Sequence, residues 1–150
     1  MKKIMPLLLS GVLMVAASAC STAKTTSDAP NSTDQTGQVP TEQGAQTAKN
    51  DAQSGVRQSQ LDSDIRAREQ RNNATGGDAD RANGDLQSEV RSKLEANIPN
   101  SKLAVEAKDG VVTISGTVQT QDQLTKIEPL AKEIKGVKGV DVKATVAPAQ

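Results

Sequence analysis

Lys108-Asp109-Gly110-Val111-Val112-Thr113-Ile114-Ser115-Gly116-Thr117-Val118 is the stretch whose reading decides the fold. Asp-Gly is a strong signal for a two-residue hairpin turn, because both central positions need positive φ. The β-branched run after it and the alternating Leu103 to Ala107 before it supply the two strands. Leu103, Val105 and Ala107 share one face of the first strand, and Val112, Ile114 and Val118 share one face of the second. Thr113, Ser115 and Thr117 then point the other way, toward solvent. Gly110 is read as the source of the positive φ, and Gly116 as relief of crowding where the strand meets the helices.

Outward from the hairpin, the pattern changes period. Leu86, Val90, Leu94 and Ile98 recur every four residues and define one stripe of a helix, with Asp85 as its N-cap and Pro99-Asn100 as its end. On the other side, Thr120-Gln121-Asp122-Gln123 has the form of a capping box, and Leu124, Ile127, Leu130, Ala131 and Ile134 make the apolar face of a second helix. Pro129 predicts a kink in that helix, or a regular part that starts near it. Gly136 reads as its left-handed C-cap, Gly139 as a turn residue, and Val140, Val142, Ala144 and Val146 as a third strand. The order predicts a small α+β domain, a two-layer αββαβ sandwich. Its three-stranded mixed sheet carries both helices on one face, with the second and third strands parallel. A core of short aliphatics this small predicts a net stability of only a few kcal/mol.

The glycine-bounded hairpin, the helix ending Ala131-Lys132-Glu133-Ile134-Lys135-Gly136-Val137 and the Val140-Asp141-Val142 strand together resemble the BON domain. This family is named for an osmotically induced periplasmic protein and for nodulation proteins. The resemblance covers Asp85 to Val146, and the domain is placed at residues 85–147. It implies an envelope location and a role in phospholipid association or envelope maintenance.

Composition narrows the chemistry. The 150 residues contain no His, Trp, Tyr or Phe, which removes imidazole chemistry and the aromatic platforms on which single-stranded nucleic acid stacks. No cofactor or metal site is expected. Asp78, Asp80 and Glu89 fall at calcium-loop positions, but Ala82 replaces a ligand and Asn83 replaces the turn glycine. Gly136-Val137-Lys138-Gly139 spells a GxxG, yet between a helix and a strand rather than two helices, so a nucleic-acid partner is not supported. Asp109 and Asp141 have no nucleophile or base beside them, and the protein is read as a non-enzyme.

The N-terminus supplies an address. Lys2 and Lys3, an apolar run from Ile4 and a small-residue stretch have the order of a secretory signal over residues 1–19, and Ile4 to Ala19 falls short of the roughly 20 residues of a membrane span. Ala17-Ser18-Ala19-Cys20 resembles the lipobox of bacterial lipoproteins, although Ala17 stands where Leu is usual. The resemblance implies acylation of Cys20, and Ser21 implies the periplasmic face of the outer membrane. Without the leader the chain carries 16 basic against 18 acidic residues, so no strong field draws a polyanion. Residues 20–84 are expected to be a mostly disordered linker, because they carry too little apolar surface to order themselves. A short helix is expected near 61–71, where acidic residues precede Arg66, Arg68 and Arg71.

Two partners are weighed for this non-enzymatic envelope protein. Arg91 and Lys93 on the first helix, with Lys126, Lys132, Lys135 and Lys138 around the second, could meet phospholipid headgroups; alternatively they serve a protein–protein adaptor. Arg66, Arg68 and Arg71 form a candidate docking segment whose alternative is a solvated helical turn. Nine basic and nine acidic residues are interspersed from Gly84 onward, so a merely solvated surface is a third reading.

Overall fold

The computed structural model describes residues 22–75 and 81–150; the leader, Cys20 and Asp78 to Asp80 of the calcium-like pattern lie outside them. The elements are β1 (Ala23–Lys24), α1 (Glu42–Ala52), α2 (Gly55–Thr75), α3 (Asn83–Asn97), β2 (Lys102–Lys108), β3 (Val111–Val118), α4 (Gln121–Lys132), β4 (Gly139–Val142) and β5 (Thr145–Val146).

The hairpin β2–β3 forms with Lys108 opposite Val111 and Val105 opposite Ile114. Asp109 and Gly110 take φ values of 53° and 86°, the pair of positive values a type I′ turn requires. β4 and β5 both run parallel to β3, so the expected third strand is interrupted at Lys143 and Ala144. Leu86, Val90, Leu94, Ile98, Leu103, Val105, Val112, Ile114, Val118, Ile127, Ala131 and Ile134 form the core between the helices and the sheet. Thr120 caps α4 by accepting from the Gln123 backbone N–H, while the Gln123 side chain accepts from the Gln119 N–H. Pro129 lies inside α4, which ends at Lys132. The bond lost at Pro129 therefore falls in the last turn, where it interrupts little. Gly136 keeps its positive φ of 91°, but in the turn beyond Glu133, which is the C-cap.

Three expectations are corrected by the tertiary structure. Asp85 does not cap α3; Ala82 holds that position without a side-chain bond, and Asp85 sits in the first turn, facing α2. Gly116, at φ 121°, is required by the neighbouring strand rather than by the helices. A Cβ there would stand 2.0 Å from the Lys102 carbonyl oxygen. Gly139 has no such requirement, since a Cβ would meet only the Val111 methyls at 3.7 Å or more.

The largest difference lies in the segment expected to be disordered. Residues 22–37 cross the second face of the sheet, so Ser115 and Thr117 are buried instead of facing water. β1 pairs antiparallel with β2, Ala23 opposite Val105 and Lys24 opposite Ala104, and extends the sheet to five strands. The Thr25 N–H donates to the Leu103 carbonyl at 2.9 Å, and the Thr25 hydroxyl accepts from the Leu103 N–H and donates to the Ser101 carbonyl. Small hydroxyl side chains make this possible, since Ser115 and Thr25 find hydrogen-bond partners on covering, although the buried Thr117 hydroxyl finds none among the described residues.

Candidate functional site

α2 explains the arginines first. This helix runs well beyond 61–71 and lies along α3, with Leu61 buried and ion pairs on either side. Arg57 meets Glu95 at 2.5 Å, Arg91 meets Asp64 at 3.7 Å, and Asp85 receives Arg68 at 2.8 Å and Arg71 at 3.2 Å. The candidate docking segment thus docks on its own domain through Arg68 and Arg71, while Arg66 reaches, among the described residues, the Ser63 hydroxyl. Its helical reading was available from the charge order along the chain. Its partner was not, because Asp85 is brought to Arg68 only by folding.

Burial pulls the Asp85 carboxyl upward, but hydrogen bonds and charge from Arg71 and Arg68 outweigh it and hold its pKa below the ordinary value. A depressed carboxylate contributes stability that is present above its unfolded-state pKa and is lost as pH falls through the folded one. Acidification below about pH 4 should therefore loosen α2 from α3 while the sheet stays closed. Hydrogen exchange corrected for intrinsic rates should show faster α2 amides in acid and unchanged β2 and β3 amides. Equal acceleration of both would refute the assignment.

The candidate headgroup contacts separate into two groups. Arg91 is bound by Glu95 at 2.9 Å, Lys93 by Glu133 at 2.6 Å and Lys132 by Glu128 at 2.6 Å. These cations are matched by the domain's own carboxylates. Lys126 stands exposed midway along α4. Lys135 and Lys138 are exposed and have no ion pair with a carboxylate among the described residues, and both lie in the loop that returns to the hairpin turn. The Lys138 N–H donates to the Gly110 carbonyl at 2.8 Å, and its side chain lies across Gly110, where an added Cβ would be 2.7 Å from its Cδ.

This end of the sheet collects further features. Lys108, missed by the sequence reading, is exposed at the end of β2 opposite Val111, which is 46% exposed. Lys108 across from it and Lys138 over the adjacent Gly110 thus flank an uncovered valine at the turn, and Lys135 is carried by the same loop as Lys138. Asp109 is the acid among them; its backbone N–H is held by the Asn83 side chain at 3.0 Å. Asp141 is 3.9 Å from Lys143. Beside the turn is a cleft of about 300 Å³ lined by Arg81, Asn83, Asp109, Gly110, Gly136 and Lys138. A larger groove of about 770 Å³, between residues 24–28, α1 and the end of α3, holds the pairs Arg57 to Glu95 and Lys102 to Asp28, with Lys24 and Asp51 also lining it. Among the described residues the turn end therefore brings Lys108 and Lys138 together without ion pairs, while Lys126 on α4 and Arg66 on α2 stand without one elsewhere.

Arg81 and Glu89 were missed as a pair. Both side chains are almost fully buried and form an ion pair, and Arg81 also donates to the Lys135 carbonyl at 2.6 Å. The pair pins the loop that carries Lys135 and Lys138 to α3. Glu89 at the last position of the calcium-like pattern is thus occupied by Arg81.

Residues 82–148 match the family model of the BON domain. The αββαβ order and the hairpin described above fall within this match, so residues 82–148 carry a BON domain. Over 55 residues, 35% of this chain, it is 46% identical to Osmotically-inducible protein Y of Escherichia coli (strain K12), and the match spans 27% of that protein.

Proposed function

We propose that this is a non-enzymatic, lipid-anchored protein of the bacterial envelope. In this reading Cys20 carries the acyl anchor on the periplasmic face of the outer membrane, and the BON domain meets anionic phospholipid headgroups during osmotic stress. The observation that carries the headgroup reading is the turn end. Lys108, Lys135 and Lys138 lack carboxylate partners among the described residues, Lys108 stands opposite an exposed Val111 and Lys138 lies across Gly110, while Arg91, Lys93 and Lys132 are matched. Lysines over an anionic leaflet contribute about 1 kcal/mol each, and an exposed aliphatic among them adds an apolar contact. The likeness to an osmotically inducible protein supports the stress setting.

The test uses the mature chain with Cys20→Ser, so that no acyl chain contributes. Flotation should be several-fold greater with anionic than with neutral vesicles, and Lys108→Gln, Lys135→Gln and Lys138→Gln combined should abolish the difference. Lys132→Gln, at a matched lysine, should leave it in place. Equal flotation with both vesicle types would instead favour the adaptor reading, in which the same surface meets an envelope protein.

A further inference from the structure

We propose that strand β1 clamps the anchored N-terminus to the sheet, so that the BON domain is held flush against the bilayer with its hairpin-turn end toward the headgroups. This rests on the proposed acylation of Cys20 and specifies how the anchored domain is oriented. A mostly disordered linker before the domain would let it roam; even the stretch from Ser21 to Ser59 would have a coil span of about 35 Å. The structure connects the chain to the sheet much earlier. Ala23 and Lys24 are already β-paired, and Thr25 is buried with its N–H and hydroxyl both bonded to the start of β2 and the residue before it.

The direction of the pairing decides which end is anchored. β1 is antiparallel to β2, so stepping backward from Lys24 to Ala23 moves from Ala104 to Val105, toward Lys108 and the turn. Thr22 continues that direction, its hydroxyl donating to Glu106 at 3.3 Å. Cys20 is two residues before Thr22, and two residues of chain reach at most about 7 Å. The anchor point is thus confined to the neighbourhood of the same sheet end that carries Lys108, Val111 and Lys138.

The clamp continues past β1. The Thr33 hydroxyl also donates to Glu106, Ala29 is buried, and Ser115 donates to the Ser32 carbonyl at 3.4 Å. Gly37 packs close to Gly116 and Pro30, where an added Cβ would meet both at 3.4 Å. Together these contacts fix residues 22–37 to the sheet face, and the loop up to α1 begins only after them. The lysines then act with the anchor rather than at a distance from it. A surface contact too weak to hold the protein alone gains from the high effective concentration that a short connection imposes.

The test uses the full chain, acylated in cells and reconstituted into vesicles with acceptor dye on their headgroups. Lys108→Cys places a donor dye at the turn end, and Gln121→Cys places one at the opposite end of β3, about 25 Å away along the strand. Donor transfer should be at least twofold greater from Lys108→Cys. A flexible Gly/Ser insertion of about 20 residues between Ser21 and Thr22 should remove the difference, whereas the same insertion between Gln38 and Val39 should preserve it. Equal transfer from the two ends, or the same effect from both insertions, would overturn the clamp. Mass spectrometry of the N-terminal peptide separates the two readings: an unmodified Cys20 refutes the anchor and the orientation built on it. With Cys20 acylated, unprotected amides at Thr25 and Leu103 in hydrogen exchange refute the clamp alone.

Discussion

Arg81→Ala is expected to destabilise the domain by about 3–5 kcal/mol, the usual cost of leaving a buried charge without its partner. A small aliphatic domain has only a few kcal/mol in total, so the variant should be largely unfolded at neutral pH and 25 °C. The cause is Glu89, whose carboxylate is fully buried against Arg81 between α3 and the loop after α4. Burial pushes the Glu89 carboxyl up from its ordinary value, Arg81 opposes that, and Glu69 and Asp85 reinforce it. A raised carboxyl pKa contributes stability that is full below the unfolded-state value and is lost as pH rises through the folded one. Without Arg81 the rise is larger, so Arg81→Ala should recover part of its stability as pH falls from 7 toward about 5. Arg81→Met combined with Glu89→Leu should be near or above the parent, because no charge then remains buried. Urea unfolding monitored by far-ultraviolet circular dichroism at the two pH values gives all three comparisons. A double variant as unstable as Arg81→Ala would show that packing, not the unpaired charge, dominates.

Gly116→Ala is the second large effect. A Cβ at this position would lie 2.0 Å from the Lys102 carbonyl oxygen, and φ of 121° is a backbone conformation that residues with a Cβ rarely adopt. Strain and overpacking each cost about 1–3 kcal/mol, so a combined loss of about 3 kcal/mol or more is expected. The shift should appear as a lower urea midpoint. Gly139→Ala is the control, since its Cβ would find ordinary contact distance to Val111; a change within about 0.5 kcal/mol is expected. Equal effects at both glycines would mean that the strand pair yields where the register says it cannot.

The hairpin, the stripe of α3, the cap of α4 and the parallel strand after it were all legible because each is a local pattern. Asp109-Gly110 needs only its own φ values, Leu86 to Ile98 needs only a helical period, and Thr120 with Gln123 needs only a three-residue spacing. The candidate site was legible as residue types and not as a place. Lys135 and Lys138 were singled out together with Arg91, Lys93, Lys126 and Lys132, yet Arg91, Lys93 and Lys132 have carboxylate partners and Lys126 stands apart on α4. Lys108 was overlooked because nothing in its neighbourhood along the chain marks it.

The early segment shows the same limit from the other side. Residues 22–75 carry too few apolar residues to order themselves, and composition therefore predicts a coil. They are ordered by what they lie on: Leu61 and four arginines, Arg57, Arg68, Arg71 and Arg91, join α2 to α3, and Thr25, Ala29 and Thr33 use a sheet face that was itself read as solvent-exposed. What the sequence by itself determined is the αββαβ core, because backbone propensity and hydrophobic period act over a few residues. Only the tertiary structure decided which face is covered, which cations are paired and where the segment after residue 21 joins the sheet. Those depend on groups tens of residues apart whose pairing has no local signature.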